Sequence, residues 1–200
     1  IDYVFNDNWS LKSVTSSQSM DRFLRDDLDS TDANLFGQNN YTEESDSFGQ
    51  ELILNFSNDR LNVLSGVMYF EEELYGEVKV PLTNICALLA PAACGTPVGE
   101  FLNGGNYLQD GDVDIEAWGA YLEATYSFSD HWTLIGGLRY NYEERDGTGS
   151  FIFDAISLNV PTNQRESWND LTPRVTIQYS PNDSVMLYGT YTEAFKSGVI

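Results

Sequence analysis

Two cysteines, a single histidine and a surplus of carboxylates are the groups through which this chain could do chemistry. Cys86 and Cys94 stand eight positions apart in a stretch rich in Pro, Ala and Gly. They can be two free thiols in a loop or a local disulfide, and we expect the disulfide, which would imply an oxidising compartment. A zinc site is not expected, because it needs four ligands and only the distant His131 could join the two thiols. His131 lies beside Trp132 in a turn-like stretch where no catalytic partner can be placed, so it reads as a solvated turn residue. The serines lack a strand–elbow–helix context. Gly147-Thr148-Gly149 is too short for a phosphate loop and has no accompanying Lys. Acids gather in groups: Asp26, Asp27, Asp29 and Asp32, then Glu71, Glu72, Glu73 and Glu77. Asp110, Asp112, Asp114 and Glu116 follow, and then Glu143, Glu144 and Asp146. Asp110-Gly111-Asp112-Val113-Asp114 has some of the alternation of a calcium loop but not its closing Glu. The acids read as a solvated rim that can meet divalent cations. No catalytic, cofactor-binding or metal-binding residue is expected, and the chain is not expected to be an enzyme.

The balance of charge excludes other functions. Against 31 Asp and Glu the 200-residue chain has 10 Lys and Arg, a formal net charge of −21. A nucleic-acid binder needs a basic face to neutralise phosphates, and a protein held on anionic lipid needs Lys and Arg. Neither is available. Disorder is excluded as well, because 42% of the residues are hydrophobic and 14% aromatic. No apolar run approaches the roughly 18 residues of a transmembrane helix. The longest, Ile85 to Cys94, is broken by Pro91. Ile1 is not followed by a signal-like segment, and Ile200 falls inside a strand-like pattern, so we expect a segment of a longer protein.

What must position these groups is a set of strands. From Trp118, even positions read Trp118, Ala120, Leu122, Ala124, Tyr126 and Phe128, while odd positions include Glu123, Thr125 and Ser127. Trp132, Leu134, Leu138, Tyr140 and Tyr142 alternate against Thr133, Arg139, Asn141 and Glu143 in the same way. From Leu171, Val175, Ile177 and Tyr179 alternate with Thr172, Arg174, Thr176 and Gln178. Phe48, Leu52, Leu54 and Phe56 share a face too. This period of two gives one apolar and one polar face. Ser10 to Asp27 and Arg60 to Glu73 are strand-like, but their faces are ambiguous.

A turn signature recurs between the strands: an aromatic, then a few of Asn, Asp and Ser, then the next strand. It appears as Phe5-Asn6-Asp7-Asn8-Trp9, Phe56-Ser57-Asn58-Asp59-Arg60-Leu61 and Phe128-Ser129-Asp130-His131-Trp132. It returns at Tyr179-Ser180-Pro181-Asn182-Asp183-Ser184-Val185. Such residues close tight turns. Between them lie longer polar stretches, Leu28–Asp46, Gly76–Asp112 and Gly147–Ser167, which we expect to be long loops. Short and long connections that alternate put all tight turns on one edge of an up-and-down sheet, as in outer-membrane barrels. Trp118–Phe128 and Trp132–Tyr142 are near the length a tilted membrane strand needs. Aromatics beside the short turns, with Tyr69, Phe70, Trp118, Tyr140, Tyr142 and Trp168 at the opposite ends, suggest two interfacial belts. The fold class expected is all-β, an antiparallel up-and-down transmembrane β-barrel segment.

One family carries this pattern in more detail. Trp168-Asn169-Asp170-Leu171-Thr172-Pro173-Arg174-Val175 is followed by Tyr179-Ser180-Pro181-Asn182-Asp183. Next comes Val185-Met186-Leu187-Tyr188-Gly189-Thr190-Tyr191-Thr192-Glu193-Ala194-Phe195-Lys196-Ser197-Gly198. This run resembles the barrel of TonB-dependent receptors, as do Gly136-Gly137-Leu138-Arg139-Tyr140 and Val67-Met68-Tyr69-Phe70-Glu71-Glu72. Ala194 departs from the family's usual Gly, and Val199-Ile200 departs from its usual Gly-Phe. The resemblance implies about eight strands of a barrel of about 22, with the plug domain and the remaining strands outside residues 1–200. It also implies a place in the Gram-negative outer membrane and contact with lipid and lipopolysaccharide. Import of a scarce nutrient chelate, above all a ferric siderophore, would be energised by the TonB complex acting through the missing plug. The other function considered is a small eight-stranded outer-membrane barrel with a structural or adhesion role. Arg22, Arg25, Arg145, Tyr75, Tyr107 and Trp168 are chemically suited to an anionic, aromatic chelate, and nothing in the residues selects among them.

Overall fold

Each tight turn is closed by a polar side chain one to three positions after its aromatic. The Asn6 Oδ1 accepts the backbone N–H groups of Asn8 at 2.9 Å and Trp9 at 3.0 Å. The Asn58 Oδ1 accepts those of Arg60 at 2.9 Å and Leu61 at 2.8 Å. The Ser129 Oγ takes the N–H groups of His131 at 3.3 Å and Trp132 at 3.2 Å, and the Asn182 Oδ1 that of Ser184 at 3.0 Å. An Asn or Ser at this place thus does locally what a backbone carbonyl does in a plain turn. His131 adds a link to the next turn, its Nδ1–H donating to the Ser180 carbonyl at 2.9 Å. Because Asn58 closes its turn with two bonds, Asn58→Ala should destabilise the folded, lipid-inserted protein by about 1 kcal/mol. Denaturant unfolding of the full-length protein in vesicles measures this, and an unchanged midpoint would contradict it.

A computed structural model describes residues 1–28, 30, 35–89 and 91–200. Asp29 and Asp32, two of the acids singled out above, lie outside the described residues. The turns join eight strands: β1 (Asp2–Val4), β2 (Trp9–Asp27), β3 (Gln38–Ser57) and β4 (Leu61–Pro81). β5 (Asn106–Ser127), β6 (Trp132–Phe153), β7 (Leu158–Asn182) and β8 (Val185–Thr192) complete the set. All belong to one sheet in the order β1 to β8, and every neighbouring pair is antiparallel. The sheet is not closed, with β1 and β8 at its two edges.

Cross-strand register resolves the faces, because directly paired residues share a side. Leu52, Val67, Ala120 and Tyr140 form one row, and Ser65, Leu122, Leu138 and Pro173 the next. Val67, Leu122, Leu138 and Val175 are 53%, 51%, 46% and 49% exposed, so a broad apolar face is open rather than packed on a second layer. The opposite face bears Glu51, Tyr121, Glu123, Arg139, Thr172 and Arg174. The ambiguous strands find their sides here. Trp9 and Leu11 pair with Phe56 and Leu54 on the apolar face, while Val14 and Met20 fall on the polar one. Apolar residues on both sides had blurred the alternation of β2.

Aromatic rings bound the apolar face. On the tight-turn side Trp9 meets Phe56 at 4.8 Å between ring centroids, and Trp132 meets Tyr179 at 4.4 Å. At the far side Trp118 stacks on Tyr142 at 5.5 Å and lies 5.3 Å from Tyr140. From Trp132 to Tyr142 a strand rises roughly 34 Å, which at a tilt of roughly 40° spans about 25 Å, the height of an outer-membrane apolar band. Two expected belt members are corrected. Phe70 pairs with Gly49 and Ala117, and Trp168 with Glu143, all on the polar face.

The long loops are corrected too. The 147–167 stretch is strand except for a short 3-10 turn at Asp154–Ile156 and its cap Ser157, with Asp146 opposite Arg165 and Gly147 opposite Gln164. Likewise the first long connection is confined to 28–37 and the second to 82–105. Beyond the aromatic belt neither face needs to be apolar, so the sheet extends as a ribbon held by backbone bonds while its hydrophobic period vanishes.

The 82–105 connection builds a knob of its own. It holds α1 (Ile85–Leu89), a 3-10 turn (Pro91–Ala93) and α2 (Pro97–Leu102). Thr96 caps α2, its Oγ1 accepting the Gly99 N–H at 3.4 Å, with Pro97 at the first helical position. The Cys86 and Cys94 sulfurs are joined, with Cα atoms 5.5 Å apart. The Asn103 Oδ1 accepts the Cys86 N–H at 3.1 Å, which ties the end of the knob to its start. Val80, Leu82, Ile85 and Cys86 form its small buried core.

Candidate functional site

The polar face is the surface able to meet a ligand or another domain. Near its centre the Tyr121 Oη donates to the Glu51 Oε1 at 2.8 Å, and Arg139 lies over the Tyr121 ring at 5.9 Å. The Arg139 Nε donates to the Asn141 Oδ1 at 2.6 Å. One strand further, Arg174 and Glu123 pair at 3.3 Å. Period-two geometry brings these residues, scattered through four strands, onto neighbouring rows. The ion pairs are partly exposed, and such pairs contribute little stability, about 0–1 kcal/mol each. Glycines make room for these side chains: an added Cβ at Gly66 would sit 2.5 Å from the Tyr121 ring and one at Gly119 3.4 Å from the Met68 Cγ.

Register also sorts the six residues chemically suited to a chelate. Arg22, Tyr107, Arg145 and Trp168 lie on the polar face. Arg25 and Tyr75 share rows with Asn40 and Asp112 on the apolar side, pointing away from it. Arg22 is held by Glu43 at 2.9 Å, and Arg145 by Glu143 at 2.7 Å.

The acids hold a surprise of placement. Asp46, Glu73, Asp114 and Asp146 form one continuous cross-strand row, and Glu71, Glu116 and Glu144 the row beside it. Both rows share the apolar side, just beyond the Tyr69–Trp118–Tyr142 belt, around a shallow depression of about 420 Å³. Like charges directly opposite one another repel. The rows are relieved by Arg165, 2.5 Å from Glu144 and 3.6 Å from Asp146, and by the Tyr142 Oη donating to Glu144 at 2.9 Å. That tyrosine bond, and then Arg165, hold the Glu144 carboxyl below the usual range. Sequence reading grouped these acids, Asp46 apart, but did not show their ladder, because cross-strand register is not visible within one segment. Among the described residues no group of three acids, His or Cys is arranged to hold a metal ion.

The cysteine pair lies apart from this wall, in the knob. Closing so short a loop by a disulfide is worth roughly 2.5 kcal/mol in the chain-entropy model. We therefore expect the bridge to persist in protein from the native envelope, and the Cys86→Ser/Cys94→Ser pair to open the knob to protease without unfolding the sheet. Free thiols in mass spectra of the native protein would contradict this.

A family model described as TonB dependent receptor-like, beta-barrel, matches residues 1–199. No curated protein matches the chain. Among solved structures, the ferric yersiniabactin uptake receptor FyuA from Yersinia pestis superposes with a TM-score of 0.74 at 12% identity, over 94% of this chain and 26% of its own. The copper transporter OprC gives a TM-score of 0.67 at 14% identity, over 94% and 29%. The ferric-catecholate import receptor Fiu from E. coli K12 gives 0.56 at 13% identity, over 96% and 31%. The chain thus spans about a quarter to a third of the length of these proteins.

Proposed function

Since this chain belongs to the TonB-dependent receptor-like β-barrel family, we propose that its parent protein imports a scarce nutrient chelate across the Gram-negative outer membrane. A ferric siderophore is the cargo we favour. In this reading residues 1–200 are about a third of a barrel of about 22 strands, and a plug domain and further strands lie elsewhere in the protein. The apolar face meets lipid, the polar face with Arg139 and Arg174 surrounds the plug, and TonB pulls on the plug to release cargo. The acidic rows beyond the aromatic belt meet lipopolysaccharide headgroups through divalent cations. Transport of this kind needs no covalent step.

The observation that carries the reading is the single eight-stranded meander with one exposed apolar face. It supports a large barrel wall. The small structural or adhesion barrel would need β1 paired with β8, and these strands are the open edges of the sheet. The test is growth of an iron-starved strain lacking the gene on a panel of single ferric chelates. One chelate should support growth only when the intact gene is restored. Equal growth of deleted and restored strains on every ferric chelate would refute iron import and move the search to other metal chelates, cobalamin and glycans.

A further inference from the structure

Strand β8 ends for a reason that lies in its neighbour. In an antiparallel pair a residue aims its N–H and C=O at the same partner strand. The Pro173 carbonyl accepts the Glu193 N–H at 3.0 Å, so Pro173 faces β8 there and has no N–H to return. The ladder stops at that point. The chain from Glu193 to Ile200 has no regular secondary structure, yet it does not hang free of the sheet. The Ser197 Oγ accepts a bond from the Arg145 Nη2 at 3.3 Å, although Arg145 is on β6, two strands away from β8. Gly198 lies against Trp168, where an added Cβ would sit 2.8 Å from the ring. Gly147 is as close to Ile200, its added Cβ falling 2.8 Å from the Ile200 Cδ1. Trp168, Arg145 and Gly147 occupy successive rows of the polar face. Phe195, Ser197, Gly198 and Ile200 are half-buried, while every residue of β8 is exposed.

We propose that Glu193–Ile200 is an inward strap: it leaves the wall at Pro173, crosses β7 and seats on β6, lining the polar face instead of extending it. Seating depends on a close approach at Gly198, where an added Cβ would strike the Trp168 ring, on Gly147, where a bulky side chain would displace the Ile200 end, and on Arg145 dividing its guanidinium between Glu143 and Ser197. That this face is the barrel lumen rests on the function proposed above. The strap would then occupy space beside the plug, on the same face as the Arg174–Glu123 ion pair. Lys196 is exposed on it and is a suitable reporter.

The test uses full-length receptor in nanodiscs, in a Cys86→Ser/Cys94→Ser background, with nitroxides at Lys196→Cys and at Gln164→Cys, which pairs with Gly147 on the polar face. A seated strap gives one narrow, short distance distribution. Gly198→Leu, and separately Gly147→Leu, should broaden and lengthen it. Gly136→Leu, at a glycine with open space around it, should leave it unchanged. A broad distribution without these substitutions, or a narrow one that both Gly198→Leu and Gly147→Leu leave intact, would overturn the strap. Heat-modifiable migration on gels reports barrel formation separately: its loss in the unsubstituted receptor would sink the barrel reading, whatever the distances show.

Discussion

Leu122→Arg in the full-length receptor is expected to destabilise the lipid-inserted barrel by about 2–4 kcal/mol. Leu122 is 51% exposed and pairs with Ser65 and Leu138, midway between the two aromatic belts. An arginine there would have to bury its charge in hydrocarbon. Depth decides the size of the effect. Leu134 is on the same face but pairs with Tyr126 and Ile177, one row from the Trp132 belt. Its arginine can reach the headgroups, so Leu134→Arg should cost only about 0–1 kcal/mol. Thr133, its chain neighbour, faces the other way and lies 3.2 Å from the Ser127 hydroxyl. Thr133→Arg meets a polar surface and should also be mild. Denaturant titration of folding into vesicles ranks the three. Equal effects of Leu122→Arg and Thr133→Arg would refute the assignment of faces.

The strands that cross the apolar band were legible because both of their faces carry a signal. In Trp118–Phe128 and Trp132–Tyr142 the alternation of apolar and polar residues is the record of lipid on one side and polar wall on the other. The turns were legible because Asn6, Asn58, Ser129 and Asn182 act within their own few residues. What was not legible is long-range or two-sided. Glu143–Phe153 and Leu158–Ser167 are strand, but with polar residues on both faces only cross-strand bonds define them, and those are invisible in one segment. Phe70 and Trp168 are aromatic at the right height but on the wrong parity for a lipid belt. Short helices in the knob depend on the Thr96 cap and the Asn103 tie, not on any amphipathic period. The seating of Gly198 on Trp168 joins two strand-like stretches whose separation in space no local pattern encodes.

The second large effect concerns energy. Ion pairs at equilibrium, such as Arg174 with Glu123 and Arg145 with Glu143, supply no energy to drive cargo uphill. In the proposed mechanism the wall is static scaffolding, and work enters through the plug. Accumulation should therefore vanish without TonB even though the receptor is present and binds its cargo at the cell surface. The most direct measurement is uptake of a labelled ferric chelate by cells carrying the intact gene, compared in otherwise identical strains with and without TonB. The account predicts accumulation against a gradient with TonB and a drop of at least about tenfold, to the level of cells lacking the receptor gene, without it, a change equivalent to about 1.4 kcal/mol or more. Undiminished uptake in the strain without TonB would contradict it and make the protein a passive pore.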